Sequence, residues 1–208
     1  MYSIPVKAQQ DDLVKIGKLS WSTHNLSVCK FRNGDPVPEA RTDDEWNKAI
    51  AEGKPAWCYY NNDSSNDALY GKLYNWYAVN DPRGLAPDGW HIPTNAEWYE
   101  LQKCLGSSQR TGCKLKSTGT IEGGDGLWKA PNTGATNESG FSALPSGYRG
   151  YLNIKGTFGG IGSCGIWWSS TEYRTTAAWC SLLDYKNTAL YRGSLYKNSG
   201  YSVRCIKD

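Results

Sequence analysis

The sequence predicts an α+β fold, and three observations carry that expectation. Two stretches place a capping box ahead of helically spaced apolar residues, the C-terminal forty residues alternate with a period of two, and the core-forming residues are aromatic. Leu, Ile, Val and Phe supply only 34 of the 208 residues. Such scarcity with a high net charge would indicate disorder. Here 23 Lys+Arg stand against 20 Asp+Glu for a net charge of +3, and 10 Trp with 14 Tyr replace the missing aliphatics. Each buried aromatic removes about 150–250 Å² from water, so a tightly shaped core within much polar loop is expected. Disorder, a coiled coil, collagen and a membrane-spanning protein are excluded. No linker or repeat array interrupts the chain, so residues 1–208 read as one domain, with residues 1–11 as an N-terminal extension.

The elements follow in order. Residues 12–28 alternate in short stretches around Gly17, which reads as a hairpin. In residues 42–52, Thr42 and Glu45 form a capping box before Trp46, Ala49 and Ile50, and Gly53 is the stop. Residues 66–79 would put Leu69, Leu73, Trp76 and Tyr77 on one face of a second helix, ended by the turn Asp81-Pro82-Arg83-Gly84. Residues 94–105 repeat the capping box with Thr94 and Glu97, and Trp98, Leu101 and Leu105 line one face. Residues 106–164 are rich in Gly, Ser, Thr and Asn and read as long loops with short strands around 141–144 and 147–149.

Residues 166–206 form the most regular pattern. Trp179, Ser181, Leu183 and Tyr185 share one strand face, and Ala178, Cys180, Leu182 and Asp184 share the other. A turn at 186–188 leads to a return strand with Leu190 and Arg192 on one face and Ala189, Tyr191 and Gly193 on the other. The simplest reading is an antiparallel sheet with one packed and one solvated face.

The bulk numbers bound the function. A charge of +3 gives no footprint for nucleic acid or for an acidic membrane surface. No apolar run approaches the roughly 20 residues of a membrane span, and residues 1–10 lack the apolar stretch of a signal peptide. The cysteines Cys29, Cys58, Cys104, Cys113, Cys164, Cys180 and Cys205 allow at most three disulfides, and no CxxC pair exists. With only two His, a structural zinc site is not expected. Asp125 and Glu138 lie in long loops and read as solvated carboxylates, so neither a metal nor another cofactor is expected.

Gly89-Trp90-His91-Ile92-Pro93-Thr94-Asn95-Ala96-Glu97-Trp98 resembles the GWH-P-[ST]-x-x-EW signature of the Fibrobacter succinogenes major paralogous domain. Segments 14–17, 57–63, 70–76, 140–145, 147–149, 167–172 and 202–205 match that family in order, so the resemblance covers nearly the whole chain. The Pro-Thr-x-x-Glu-Trp core is also similar to the formylglycine-generating-enzyme branch of the C-type lectin fold. The resemblance implies that fold, with two main helices and a twisted, loop-rich antiparallel sheet. His24 departs from the family, which usually shows Glu before Asn-Leu, and reads as a structural residue.

The ladder at 166–206 is similar to the variable region of proteins diversified by retroelements, in which adenines of Asn-type codons are randomised on a C-type lectin scaffold. The resemblance implies varied, ligand-binding positions at Arg174, Ala177, Cys180, Leu182, Asp184, Ala189, Tyr191, Gly193, Ser194, Leu195 and Tyr196. It implies constants at Trp179, Leu183, Tyr185, Arg192 and Ser202-Val203-Arg204-Cys205. Randomised AAC or AAT codons cannot yield Lys, Glu, Gln, Met or Trp, and none of the eleven positions holds one. Tyr191, Tyr196, Arg174, Ser194 and Gly193 have the chemistry of a binding surface: rigid amphipathic anchors, small polar groups and a charged donor.

The expected function is therefore recognition of a macromolecular ligand, protein or glycan, by a receptor-binding protein or adhesin on a phage tail or bacterial surface. Oligomerisation or attachment to a larger particle would add avidity. The alternative is an undiversified secreted or surface member of the same family with a structural or glycan-related role. Catalysis of the formylglycine-generating type is not expected, because Cys164 and Cys180 lack the context of that branch's reactive pair. A calcium-bridged sugar site is not expected either, because Glu-Pro-Asn, Gln-Pro-Asp and Trp-Asn-Asp are all absent.

Overall fold

Trp167 and Trp168 are neighbours on one strand, so their side chains leave it on opposite faces, and both are completely buried. That pair explains the layering. In a computed structural model, which describes residues 13–106, 108–150 and 157–208, the strand carrying them runs between two aromatic cores. The expected extension at residues 1–11 lies outside the described residues. At about 25 cal/mol per Å², burying one such indole contributes about 4–6 kcal/mol as an upper bound.

The chain opens with a hairpin, β1 (Leu13–Ile16) and β2 (Leu19–Ser22). The turn needs Gly17, whose φ of 64° is a left-handed value that L side chains rarely adopt. Helix α1 (Asp43–Ala51) begins at the Thr42–Glu45 capping box, and its three N-terminal acids complement the helix dipole. Strand β3 (Trp57–Cys58) follows.

The helix expected over 66–79 is instead three elements: α2 (Asp67–Tyr70), β4 (Leu73–Tyr74) and α3 (Trp76–Val79). Gly71 breaks it. Its φ is 69°, and a Cβ there would meet the Leu26 carbonyl oxygen at 3.0 Å. Asn75 then starts α3 by accepting the Ala78 N–H on its side chain at 3.0 Å, while Leu73 and Tyr74 pair with β3. Leu69, expected inward, is 53% exposed.

Strand β5 (Trp90–His91) leads into α4 (Asn95–Leu105), which starts at the Thr94–Glu97 capping box. A further helix, α5 (Ser108–Leu115), corrects the reading of 106–164 as loops and strands alone. Its signal was weak because Gly112 sits inside it, where a Cβ would come within 2.5 Å of the Ala189 carbonyl oxygen. Strands β6 (Ser146–Arg149), β7 (Phe158–Ile161), β8 (Cys164–Arg174), β9 (Ala177–Asp184), β10 (Tyr191–Tyr196) and β11 (Ile206–Lys207) complete the order.

A five-stranded sheet has the order β10-β9-β8-β6-β7, and a four-stranded one β1-β2-β11-β5. The larger sheet is mixed rather than antiparallel, because β6 runs parallel to β8 through Gly147 and Gly165. Several helices and a mixed sheet make this an α+β fold, with more helical segments than the two main ones expected. One core gathers Trp21, Trp98, Phe141, Trp167 and Leu183, the other Trp76, Trp168, Tyr74, Tyr201 and Cys180.

Much of the chain between these elements is irregular, and its buried carbonyl groups need donors. Arg204, fully buried, donates to Ser22 O at 2.7 Å, Phe141 O at 3.0 Å, Ser142 O at 2.9 Å and Asn25 Oδ1 at 2.8 Å. Arg149 joins Ala40 O, Thr42 O and Asp43. Indole N–H groups do the same, from Trp57 to Val37 O, Trp76 to Ser169 O, Trp128 to Ala143 O and Trp168 to Tyr74 O.

The C-terminal strand is tied to α4 by His91. Its Nδ1 lies 2.5 Å from Asp208 and its Nε2 2.8 Å from Glu97, the capping-box carboxylate. Burial alone would lower the His91 pKa, but the two carboxylates outweigh it and hold the value above the ordinary histidine range. A raised folded-state pKa gives stability that is complete below the unfolded value and is lost as pH rises through the folded one. The unfolding free-energy difference between the parent and His91→Gln should therefore be larger at pH ~5.5 than at pH ~8.5, either side of the histidine range. A difference independent of pH would contradict the clamp.

Candidate functional site

In the ladder of β8, β9 and β10, β9 and β10 pair in continuous register, whereas β8 pairs with β9 through register shifts between Trp168 and Arg174. Tyr191 lies opposite Leu182, Gly193 opposite Cys180, and Leu195 opposite Ala178. On the alternate phase Arg192 faces Ser181, Ser194 faces Trp179, and Tyr196 faces Ala177. Directly opposed residues share a sheet face, so the sequence-predicted positions on the strands divide between two faces, while Ala189 precedes β10. Cys180, Leu182, Asp184, Tyr191, Gly193 and Leu195 lie on one. Ala177, Ser194 and Tyr196 lie on the other, and Arg174 pairs with Ala177 at the β8–β9 turn.

Their exposure also differs. Arg174 and Tyr191 are exposed, Tyr191 by 47%. Leu182, Leu195, Ser194, Tyr196, Ala189 and Asp184 are partly buried, with Leu182 and Leu195 packed against the Trp168 core. Ala177 and Cys180 are buried, at 2% and 4% exposure. The expectation that they stand on a solvated face is corrected, because alternation sorts faces but not layers. A second core covers the face that the two-period reading left open.

Gly193 has open space where a Cβ would be. Asp184 is engaged locally, its Oδ1 accepting the Lys186 N–H at 2.8 Å. The expected constants Leu183, Val203, Arg204 and Cys205 are buried, and Arg192 stacks on the Tyr99 ring at 4.9 Å. Trp179 is only partly buried and meets the exposed Tyr173 edge to face at 5.2 Å.

The β9–β10 connection is pinned from within. Lys116, fully buried, donates from Nζ to Thr133 O at 3.0 Å, Asp184 O at 3.3 Å and Asn187 O at 2.9 Å. Burial pushes its pKa down to about 8, where it still carries its charge at neutral pH. At the other end of the ladder, the Lys197 N–H donates to Thr176 O at 3.1 Å and its Nζ to Glu172 at 2.9 Å. β10 is the edge strand of its sheet, and Tyr191 at its start is exposed.

All seven cysteines are free, and burial pushes the thiols of Cys164, Cys180 and Cys205 up to about 12. Among the described residues, no three His, Cys, Asp or Glu side chains are gathered in a metal-binding arrangement. Asp125 Oδ1 accepts the Thr120 N–H at 2.8 Å, Glu138 pairs with Lys114 at 2.9 Å, and His24 is exposed, its Nδ1 3.2 Å from Thr23 Oγ1.

Sequence reasoning missed the groove beside the ladder tip, where Asn47 and Tyr77 approach Thr175, Thr176 and Tyr196. Those residues come from distant parts of the chain, and Tyr77 stands on the short helix α3 instead of the long helix expected over 66–79. No periodicity marks them.

A family model described as the Fibrobacter succinogenes major domain matches residues 14–207. No curated protein and no solved structure matches the chain.

The two kinds of ladder position should respond differently to a large side chain. Cys180→Tyr overpacks a filled core and should lose at least about 2 kcal/mol in urea unfolding. Gly193→Tyr enters open space at a strand position and should stay within about 0.5 kcal/mol of the parent. Equal losses would contradict this placement.

Proposed function

Because the chain belongs to the Fibrobacter succinogenes major domain family, we propose that it is a ligand-binding protein of that family, built on a C-type lectin-like scaffold. The C-terminal ladder is its recognition surface and is diversified by a retroelement. It is displayed on a phage tail or bacterial surface as a receptor-binding protein or adhesin, and its partner is a macromolecule. It acts by binding rather than by catalysis.

One observation carries the reading: exposed and partly exposed positions at the β8–β9 turn and along the edge strand β10 sit on a buried frame, and the ladder is fixed at both ends. Arg174 and Tyr191 are exposed and Gly193 is open above, while Leu183, Val203, Arg204 and Cys205 are buried. Substitution at accessible positions typically changes stability by only about ±0.5 kcal/mol, so such a surface can vary while the scaffold stays folded. Ala177 and Cys180 are buried and are not contact residues in this reading. The contact set is Arg174, Leu182, Asp184, Ala189, Tyr191, Gly193, Ser194, Leu195 and Tyr196, on and beside the edge strand β10.

Pinning by Lys116 and Lys197 supports the same reading, because a preorganised surface loses little conformational entropy on binding. Tyrosine and arginine anchors with small polar neighbours suit recognition of many partners. Among the described residues no helix is long and apolar enough to cross a membrane.

The coding DNA tests the diversification. A near-identical repeat of the region encoding the ladder is expected beside a reverse-transcriptase gene, differing from it only at adenines. Absence of the repeat, or differences that do not follow adenines, would contradict the proposal.

A further inference from the structure

A groove of about 430 Å³ opens at the ladder tip between α1, α3 and the β8–β9 turn. Its polar lining is Asn47, Tyr77, Thr175, Thr176, Tyr196 and Asn198, with Ile50 and Ala51 as apolar neighbours. Among the described residues, no Lys, Arg, His, Asp or Glu lines it. The groove has two phenol rings, two carboxamides and two threonine hydroxyls.

Its walls are held in place. The Trp46 indole donates to Asn198 O at 3.1 Å, and the Trp76 N–H donates to Lys197 O at 3.0 Å. Lys197 stands over the Trp76 ring at 4.4 Å with its Nζ on Glu172, facing the core rather than the groove lining. One acceptor is left over: Asn47 Oδ1 is a buried atom with no hydrogen-bond partner. A donor that reached it would satisfy a buried acceptor that is now unpaired.

This chemistry selects among ligand classes. An anion or cation entering the groove would be desolvated with no opposite charge to meet it. A purely apolar ligand would cover the carboxamides and leave them unpaired. A calcium-bridged ligand would need carboxylate oxygens that the lining lacks. A neutral polyhydroxylated ring fits, because its C–H face packs on tyrosine rings while its hydroxyls donate to and accept from Asn and Thr. The volume lies at the lower end for small-molecule sites, matching one or two sugar rings. We propose that this groove binds a neutral saccharide directly, without a bridging metal ion.

The proposal meets the ladder reading at Tyr196, a varied position in the groove wall, while Asn47 and Tyr77 lie outside the ladder. The test titrates the whole chain with neutral tri- and tetrasaccharides of glucose, xylose, mannose, galactose and N-acetylglucosamine by calorimetry, with and without EDTA. At least one series should bind, and EDTA should leave its affinity unchanged. Tyr77→Ala and Asn47→Leu should each weaken it about tenfold or more, with Asn47→Leu carrying the test if Tyr77→Ala lowers the melting temperature. Lys18→Ala, an exposed change on the β1–β2 turn away from both the groove and the ladder, should leave it within about twofold. The proposal is overturned by no binding at about 10 mM sugar, by loss of binding in EDTA, by binding of acidic oligosaccharides alone, or by affinity insensitive to Asn47 and Tyr77. Sensitivity to Arg174 and Tyr191 alone would overturn it while leaving the ladder as a recognition surface.

Discussion

A guanidinium buried among carbonyl oxygens sets the terms for this fold. Arg204 has no solvent exposure, yet it reaches Ser22, Asn25, Phe141 and Ser142, which belong to two stretches of chain far from it in sequence. Irregular backbone cannot satisfy its own carbonyl groups as helices and ladders do, so a loop-rich interior requires side-chain donors. Arg149 and Lys116 solve the same problem elsewhere, and the tryptophan indoles do so with one N–H each. Burying a charge is costly unless it is well hydrogen-bonded. The excess of Trp thus has two physical uses: apolar area in place of aliphatic residues, and donors in place of secondary structure.

The proposed recognition surface depends on that arrangement. β8 is packed on both faces, so β9 and β10 inherit a rigid platform. Lys116 holds one end of the hairpin and Lys197 the other. The groove at the tip shares a wall with the ladder through Tyr196 and Thr176. Two recognition regions, one along the edge strand and one beside the turn, would then rest on one fixed frame.

Local signals were legible in the sequence, and contacts between distant segments were not. Both capping boxes were read correctly because Thr and Glu three residues apart declare a helix start through backbone donors alone. The hairpin at Gly17 and the register phase of β9 and β10 were legible for the same reason. The helix over 66–79 failed because Gly71 approaches residues 25 and 26, a contact with no local trace. Helix α5 was hidden by Gly112, which is there to admit the carbonyl of Ala189. Cys180 looked outward because alternation places it opposite Leu183, and only the second core shows that both faces are covered. The groove was invisible because α1, α3 and the ladder meet only in three dimensions.

The most direct measurement is the urea unfolding free energy of Arg204→Met, which keeps the apolar stem and removes every donor. If buried donors hold the irregular segments together, the variant should lose at least about 3 kcal/mol, from several orphaned acceptors at about 1–3 kcal/mol each. A loss below about 1 kcal/mol would mean that packing alone holds these segments, and would contradict the account.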